Sequence, residues 1–439
     1  MRVAIVGSGI AGLAAAHTLA GRAQVTLYEA GTWFGGHSHT VDVTLPTPQG
    51  PVTHGVDTGF LVFNERTYPK LIELFAGLGV KTVKSDMSFS VQVPDAFRGG
   101  PLEWSGSSLN TVFAQRANLA RPRFLRMLRD LLRFNRLATA YAQAGEEPGL
   151  LQPLGEFLVE HRFSDEFRDW YLLPMIGCIW SCPTDQMLRF PVATLVRFCH
   201  NHGLLQVADR PQWWTVAGGA RTYVDRILAG IADKRLSTPV RRVLRSDNGA
   251  SVVTDSGTER FDHVVMATHP DQALAVLADV SAAESEVLGA IHYQRNRAVL
   301  HTDASAMPSN RSAWAAWNYE SGPAGGGQVC LHYWVNQLQP LPWTQPVLVS
   351  LNPLRPIARN RIMGEYDYEH PVFDRAAIAA QAGVAQLQGR RRTWFCGAWT
   401  GYGFHEDGLK AGQRVGRSLL NYANVQPEAG AATTFEAVA

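Results

Sequence analysis

Lysine is nearly missing from this chain. Of 439 residues only Lys70, Lys81, Lys84, Lys234 and Lys410 are lysine, and the rest of its 40 basic residues are arginine. Against 38 acidic residues this leaves a net charge of +2, which excludes holding nucleic acid through bulk charge. Cysteine is scarce too. Five cysteines, an odd number at irregular spacing, exclude a secreted disulfide framework. Cys178 and Cys182 stand one helical turn apart, the spacing of a redox or metal pair, but two buried thiols are the expectation. His37 with His39, and His200 with His202, have no further ligands at metal-site spacing, so no metal is expected and these read as loop histidines. No apolar run approaches the roughly 18 residues of a membrane span. The apolar N-terminal stretch carries glycines that suit a nucleotide fold rather than a signal peptide. A cytoplasmic protein is expected.

What is present concentrates at the two ends. Val3, Ala4, Ile5 and Val6 form a buried-strand run that leads into Gly7, Ser8, Gly9, Ile10, Ala11 and Gly12, then a helix-like stretch from Leu13 and a second strand ending at Glu29 and Ala30. This is a complete dinucleotide-binding unit. The first glycine permits the turn, the second lets backbone approach a pyrophosphate, and the third lets helix and strand pack. The helix N-terminus favours the phosphates and Glu29 suits the ribose hydroxyls. A second glycine pair, Gly35 and Gly36 before His37, reads as a loop folding back over the same pyrophosphate. Near the other end a strand stops at Gly397, and a second helix start follows from Phe404, His405, Glu406, Gly408 and Leu409. A long cofactor reaching between two helix starts fits non-covalent FAD better than a dissociable nicotinamide.

With the turn Ala217, Gly218, Gly219, Ala220, Arg221, Thr222, Tyr223 and the later Pro239, Val240, Arg241, Arg242, Val243, these motifs resemble the flavin-containing amine oxidase superfamily. That group also holds phytoene desaturases, protoporphyrinogen oxidase and a polyunsaturated fatty acid isomerase. Gly35 to Thr40, Asp57 to Asn64, Tyr68 with Pro69, and Gly403 to Gly408 are similar to one bacterial branch of NAD/FAD-binding proteins. Its relatives occur beside, or in plants fused to, cyclopropane fatty acid synthase-like lipid methyltransferases. The resemblance implies an α/β fold: a Rossmann-type FAD-binding domain of the amine oxidase and glutathione reductase kind, with an inserted α+β substrate domain. It implies further cofactor contacts at Ser38, Thr58, Gly59, Phe60, Val240, Ala267 and Thr268. It also implies an oxidoreductase acting on lipid, desaturating or isomerising an acyl chain that is methyl-branched or headed for furan fatty acids, with a lipid methyltransferase as partner. An amine or polyene oxidase, or a non-catalytic flavoprotein partner, are the alternatives.

Three departures weaken amine oxidation. Many amine oxidases place a substrate-domain lysine beside the flavin, and none occurs between Lys234 and Lys410. The cysteine that holds flavin covalently in monoamine oxidases has no counterpart ahead of Gly401 and Tyr402. Ala398 stands where an acidic residue often binds the ribityl chain.

The organisation expected is discontinuous: residues 1–90, 205–275 and 385–422 form the FAD-binding domain, 91–204 (helical) and 276–384 (strand-rich) the substrate domain, and 423–439 a disordered tail. Catalytic candidates are Tyr402, His405 and Glu406, placed to approach the flavin ring; a structural role for the His-Glu pair stays open. Tunnel candidates are Trp180, Trp213, Trp214, Trp314, Trp317, Tyr319, Tyr333, Trp334 and Trp399. One segment is unusual filler. Arg123, Arg126, Arg129, Arg133 and Arg136 recur at helical spacing beside Leu125, Leu128, Leu131, Leu132 and Leu137, with Phe124 and Phe134 at the edge. Such a helix can lie on the anionic inner face of a membrane, or pack its leucines on the core with solvated arginines.

Overall fold

The computed structural model describes residues 1–144, 152–206, 210–322 and 329–425; the tail expected at 423–439 lies almost wholly outside them. A five-stranded parallel sheet takes its strands from four distant parts of the chain, in the order Asp233–Arg235, Gln24–Tyr28, Arg2–Val6, His263–Met266, Thr393–Phe395. The first strand is central, and its period-two alternation serves two cores. Val3 and Ile5 point into the larger cluster, Ala4 and Val6 into the smaller one with Val264, Phe395 and Phe261. Both faces are therefore buried, which explains a strand apolar at every position.

The first helix, Ile10–Leu19, is buried on nearly all sides, because it lies between this sheet and the closing helix His405–Val425. Three glycines one turn apart permit the contact. A Cβ on Gly408 would meet Ile10 Cγ2 at 2.7 Å, one on Gly412 would enter the Ala11 carbonyl, and one on Gly416 would meet Thr18 Cβ at 2.7 Å.

The second large element is a seven-stranded mixed sheet ordered Ile362–Pro371, Tyr293–His301, Leu348–Leu351, Cys330–Trp334, Trp317–Glu320, Phe89–Phe97, Gly100–Ser105. The stretch 91–204 is thus not all helical; it opens with strands that complete this sheet. The other expected boundary shifts as well. Helix Arg375–Leu387 places Ala377, Val384 and Leu387 in the smaller core of the nucleotide sheet, so that layer begins before residue 385.

The helix Pro122–Ala144 buries Phe124, Met127, Asp130, Phe134, Asn135 and Ala138. This corrects the expected apolar face. The aromatic rings turn inward, Phe124 against Trp104 and Phe134 against Phe167, while Leu125 and Leu132 are 43% and 52% exposed. No helix among the described residues is long and apolar enough to cross a membrane.

Candidate active site

The two sheets are bridged by a cavity of about 910 Å³, at the upper end of the roughly 300–1,000 Å³ of small-molecule sites. It runs from the first glycine turn, past Gly397 and Phe404, to a chamber walled by the second sheet and the helices.

At its nucleotide end the three glycines of the first turn divide their tasks. Gly7 has φ +100°, and a Cβ there would meet the Ala267 carbonyl at 2.6 Å; a Cβ on Gly12 would enter the Gly7 carbonyl; a Cβ on Gly9 would meet nothing within 4 Å. Gly9 alone borders open space. The helix behind it has no side-chain cap, so its first N–H groups are free for an anion. Glu29 is held by Ser8 N at 3.0 Å and Gly31 N at 2.8 Å. The second glycine pair folds back as expected: Gly35 N donates to Ser8 O at 3.1 Å, and a Cβ on Gly36 would lie 3.1 Å from Gly9 Cα.

Next comes His37, half-buried, with its Nε2 atom buried and unpartnered in the cavity wall. Burial holds its pKa well below the usual histidine range, and His370, His269 and His405 push the same way. A neutral imidazole with a spare ring nitrogen is a donor or acceptor waiting for a ligand. The uncapped helix, the open Gly9 cradle, Glu29 and His37 together fit FAD: Ile10 and Ala11 would hold its phosphates, Glu29 its ribose, and Gly397 and His405 would border the flavin end.

Ser8, Ala30, Gly59, Phe60, Val240, Ala267 and Thr268 also line the cavity. Seven expected site residues do not. Gly12 packs under Gly7, while Gly408 and Leu409 face the first helix. Thr58 Oγ1 shares Tyr368 OH at 2.6 Å with His39. Ser38 Oγ binds Tyr223 OH and His405 Nε2. Glu406 accepts from Lys70 N at 3.0 Å and Leu71 N at 2.9 Å and pairs with Lys410 at 3.1 Å. Its carboxylate caps the helix Pro69–Leu78, whose first N–H groups need an acceptor, so it is not free to act as an acid or base at the flavin. Tyr402 lies behind the wall, its carbonyl taken by Trp180 Nε1 at 3.2 Å.

His405 does reach the cavity, but Nε2 is engaged by Tyr223 OH at 2.6 Å and its ring stacks on Phe60 at 3.9 Å. Burial lowers its pKa to about 3. It reads as part of the flavin seat.

The far chamber is walled by Met87, Cys178, Ile179, Ser181, Phe198, His202, Leu204, Trp213, Trp317 and Tyr333, with Leu61, Val62 and Tyr68 from the nucleotide side. Of the tunnel candidates, Trp213, Trp317, Tyr333 and Trp399 line the cavity, and Trp180, Trp214, Trp314, Tyr319 and Trp334 do not. Every titratable group of the chamber is neutral at pH 7. Burial raises the Cys178 thiol and the Tyr68 and Tyr333 phenols, and lowers His202 to about 4 despite its bond to the Phe198 carbonyl.

His202 went unnoticed except as half of a histidine pair. Its Nδ1 donates to Phe198 O at 2.9 Å, which leaves the lone pair on Nε2, and the ring stacks on Phe198 at 3.8 Å. Tyr223, Tyr368 and His370 were missed as well; only Tyr223 had a signal, the double glycine before it. Asp57 ties the parts together: it accepts from Thr40, from Ala220 N and from Gln339 Nε2 at 2.6 Å. Away from the cavity, one cluster of metal-type groups occurs among the described residues: buried Glu320, Cys330 and His332. Arg355 Nε already sits 3.1 Å from the Glu320 carboxylate, so the cluster is an ion-pair network.

A sequence model of the family described as flavin-containing amine oxidoreductase matches residues 10–336. No curated protein matches. Among solved structures the chain is similar to cyclohexylamine oxidase from Brevibacterium oxydans IH-35A (17% identity, TM-score 0.67, 96% of this chain and 99% of that one). It is also similar to putrescine oxidase bound to putrescine (18%, 0.66, 96% and 99%) and to a CLA-producing fatty acid isomerase from P. acnes (17%, 0.64, 95% and 98%). At this identity they establish the fold.

Proposed function

Because the chain belongs to the flavin-containing amine oxidoreductase family, we propose that this FAD-dependent oxidoreductase acts on an uncharged hydrocarbon substrate, an acyl chain that it desaturates or isomerises. One observation carries this reading: the chamber beyond the flavin seat is apolar and aromatic, and none of its titratable groups is charged at pH 7. A protonated amine entering it would lose its hydration without meeting a carboxylate, a cost of several kcal/mol. An acyl chain gains about 0.8 kcal/mol per buried CH₂. The acids that do border the cavity lie elsewhere: Glu29 at the ribose end, and Asp367 and Glu369 on the edge strand Ile362–Pro371, Glu369 between His269 at 3.2 Å and Arg295 at 3.0 Å.

Bound FAD supplies an acceptor for a hydride from carbon. This chain's residues do the rest. Phe198, Trp213 and Trp317 hold the chain and exclude water, and His202, neutral with its lone pair on Nε2, is the chamber's group for holding the proton that must leave the neighbouring carbon. The similar fold of the P. acnes fatty acid isomerase supports this reading; the amine oxidases share the fold with a different substrate.

Anaerobic mixing tests it. Fatty acids or phospholipids with unsaturated or methyl-branched chains are expected either to bleach the oxidised flavin with loss of two hydrogens from the chain (desaturation), or to leave the flavin oxidised while the chain's double bond moves at unchanged mass, located by chromatography (isomerisation), and His202→Gln is expected to keep FAD and slow substrate conversion by about a hundredfold. Bleaching by alkylamines with no acyl lipid converted overturns it.

A further inference from the structure

The helix Pro122–Ala144 has an outward face that the cavity does not explain. From 109 to 144 the chain carries seven arginines and one acid, Asp130, and Asp130 is buried, its carboxylate accepting from Ser164 N at 3.0 Å. The outer surface of this segment is therefore purely basic.

The structure divides the five arginines of the helix into two groups. Arg123 and Arg133, though half exposed at 52% and 40%, also fasten the helix to its neighbours. Arg123 binds Glu166 at 2.7 Å and lies over Trp170; Arg133 lies over Phe163 at 4.0 Å and donates to the Arg162 carbonyl at 3.1 Å. Arg126, Arg129 and Arg136 are held less closely: the Arg126 and Arg129 side chains are 48% and 74% exposed and make only long ion pairs, to Glu166 at 3.8 Å and Asp130 at 3.5 Å, and Arg136 is exposed.

Leu125, Arg129, Leu132 and Arg136 follow one another at helical spacing and so form a single stripe, leucine and arginine in alternation. Both leucines are exposed. Leu119 and Leu109, 57% and 80% exposed, extend the apolar part on the segment that leads into the helix. A face meant for water has no use for bared leucines, and a face meant for the core has none for outward arginines.

We propose that this face docks the protein on an anionic phospholipid surface, the arginines at the phosphates and the leucines at the acyl boundary. Charge complementarity selects the occupant, and the proposal does not depend on the chemistry in the cavity.

Sedimentation with vesicles of phosphatidylcholine, with and without phosphatidylglycerol, tests it on the full holoprotein. Wild type is expected to bind the anionic vesicles and to be released by high salt. Arg126→Gln, Arg129→Gln and Arg136→Gln together are expected to weaken binding about a hundredfold, from roughly 1 kcal/mol per arginine. The same three changed to Lys should retain it, and Leu125→Ser with Leu132→Ser should weaken it at least tenfold. Thermal midpoint and FAD content, unchanged in all of these, separate loss of docking from loss of fold, and Arg133→Gln should lower the midpoint instead. Absence of salt-dependent binding by wild type, or equal binding by the triple Gln variant, overturns the proposal, as does capture of an acidic protein with no lipid binding.

Discussion

Gly9 and His37 show how the cofactor seat works one residue at a time. Because Gly9 alone of the first three glycines borders open space, a valine there folds without a clash and puts its methyl groups where the pyrophosphate belongs. Gly9→Val is expected to give a stable but colourless protein, and Glu29→Ala to lower FAD affinity by about tenfold or more through lost charge-assisted ribose contacts, both read by flavin absorbance and calorimetry. Full occupancy in both would place the cofactor elsewhere. Gly7, Gly9 and Gly12 were legible in sequence because each role follows from the absence of a Cβ. His405 and Glu406 were not: residue type shows what a carboxylate can do, but not that the start of the closing helix turns Glu406 away from the cavity and onto the helix Pro69–Leu78.

At the scale of elements, the seam between the first and closing helices fixes the seat. Gly408 was visible in sequence, but as part of a helix start; that it lines up with Gly412 and Gly416 against a helix nearly four hundred residues earlier is a property of topology. Gly412→Ala forces a Cβ into the Ala11 carbonyl, and overpacking of this kind costs about 1–3 kcal/mol. Denaturant unfolding should show that loss with flavin affinity falling alongside, since the same shift moves Ala11 in the cavity wall. The basic helix teaches the opposite lesson. Its period was legible and its buried face was not, because counting leucines ignores that Phe124 and Phe134 bury more surface each and that Asp130 is drawn inward by a backbone N–H.

For the molecule as a whole, the cavity is the joint between two sheets, and away from its wall Asp57 accepts from Gln339 of the other part of the chain. FAD that binds only the folded chain adds RT ln(1 + [L]/Kd), about 2.7 kcal/mol at a hundred times Kd. Removing it by mild acid or chaotrope should lower the melting midpoint, and adding it back should restore both midpoint and colour; an unchanged midpoint would mean that the flavin bridges nothing. The sequence showed the nucleotide sheet's end pieces through their glycines, while the strand Asp233–Arg235, three residues long and all of them charged, had no pattern to announce it.

The late position of the strand Thr393–Phe395 and of the closing helix bears on how the protein is made. A ribosome adding about 5–20 residues per second takes roughly twenty to eighty seconds to go from the first helix to its partner. For that interval a helix apolar on almost every side stands in the nascent chain without its cover, a natural client for a chaperone. Cofactor loading cannot be complete before the chain has been made as far as His405, where the second of its two helix ends begins.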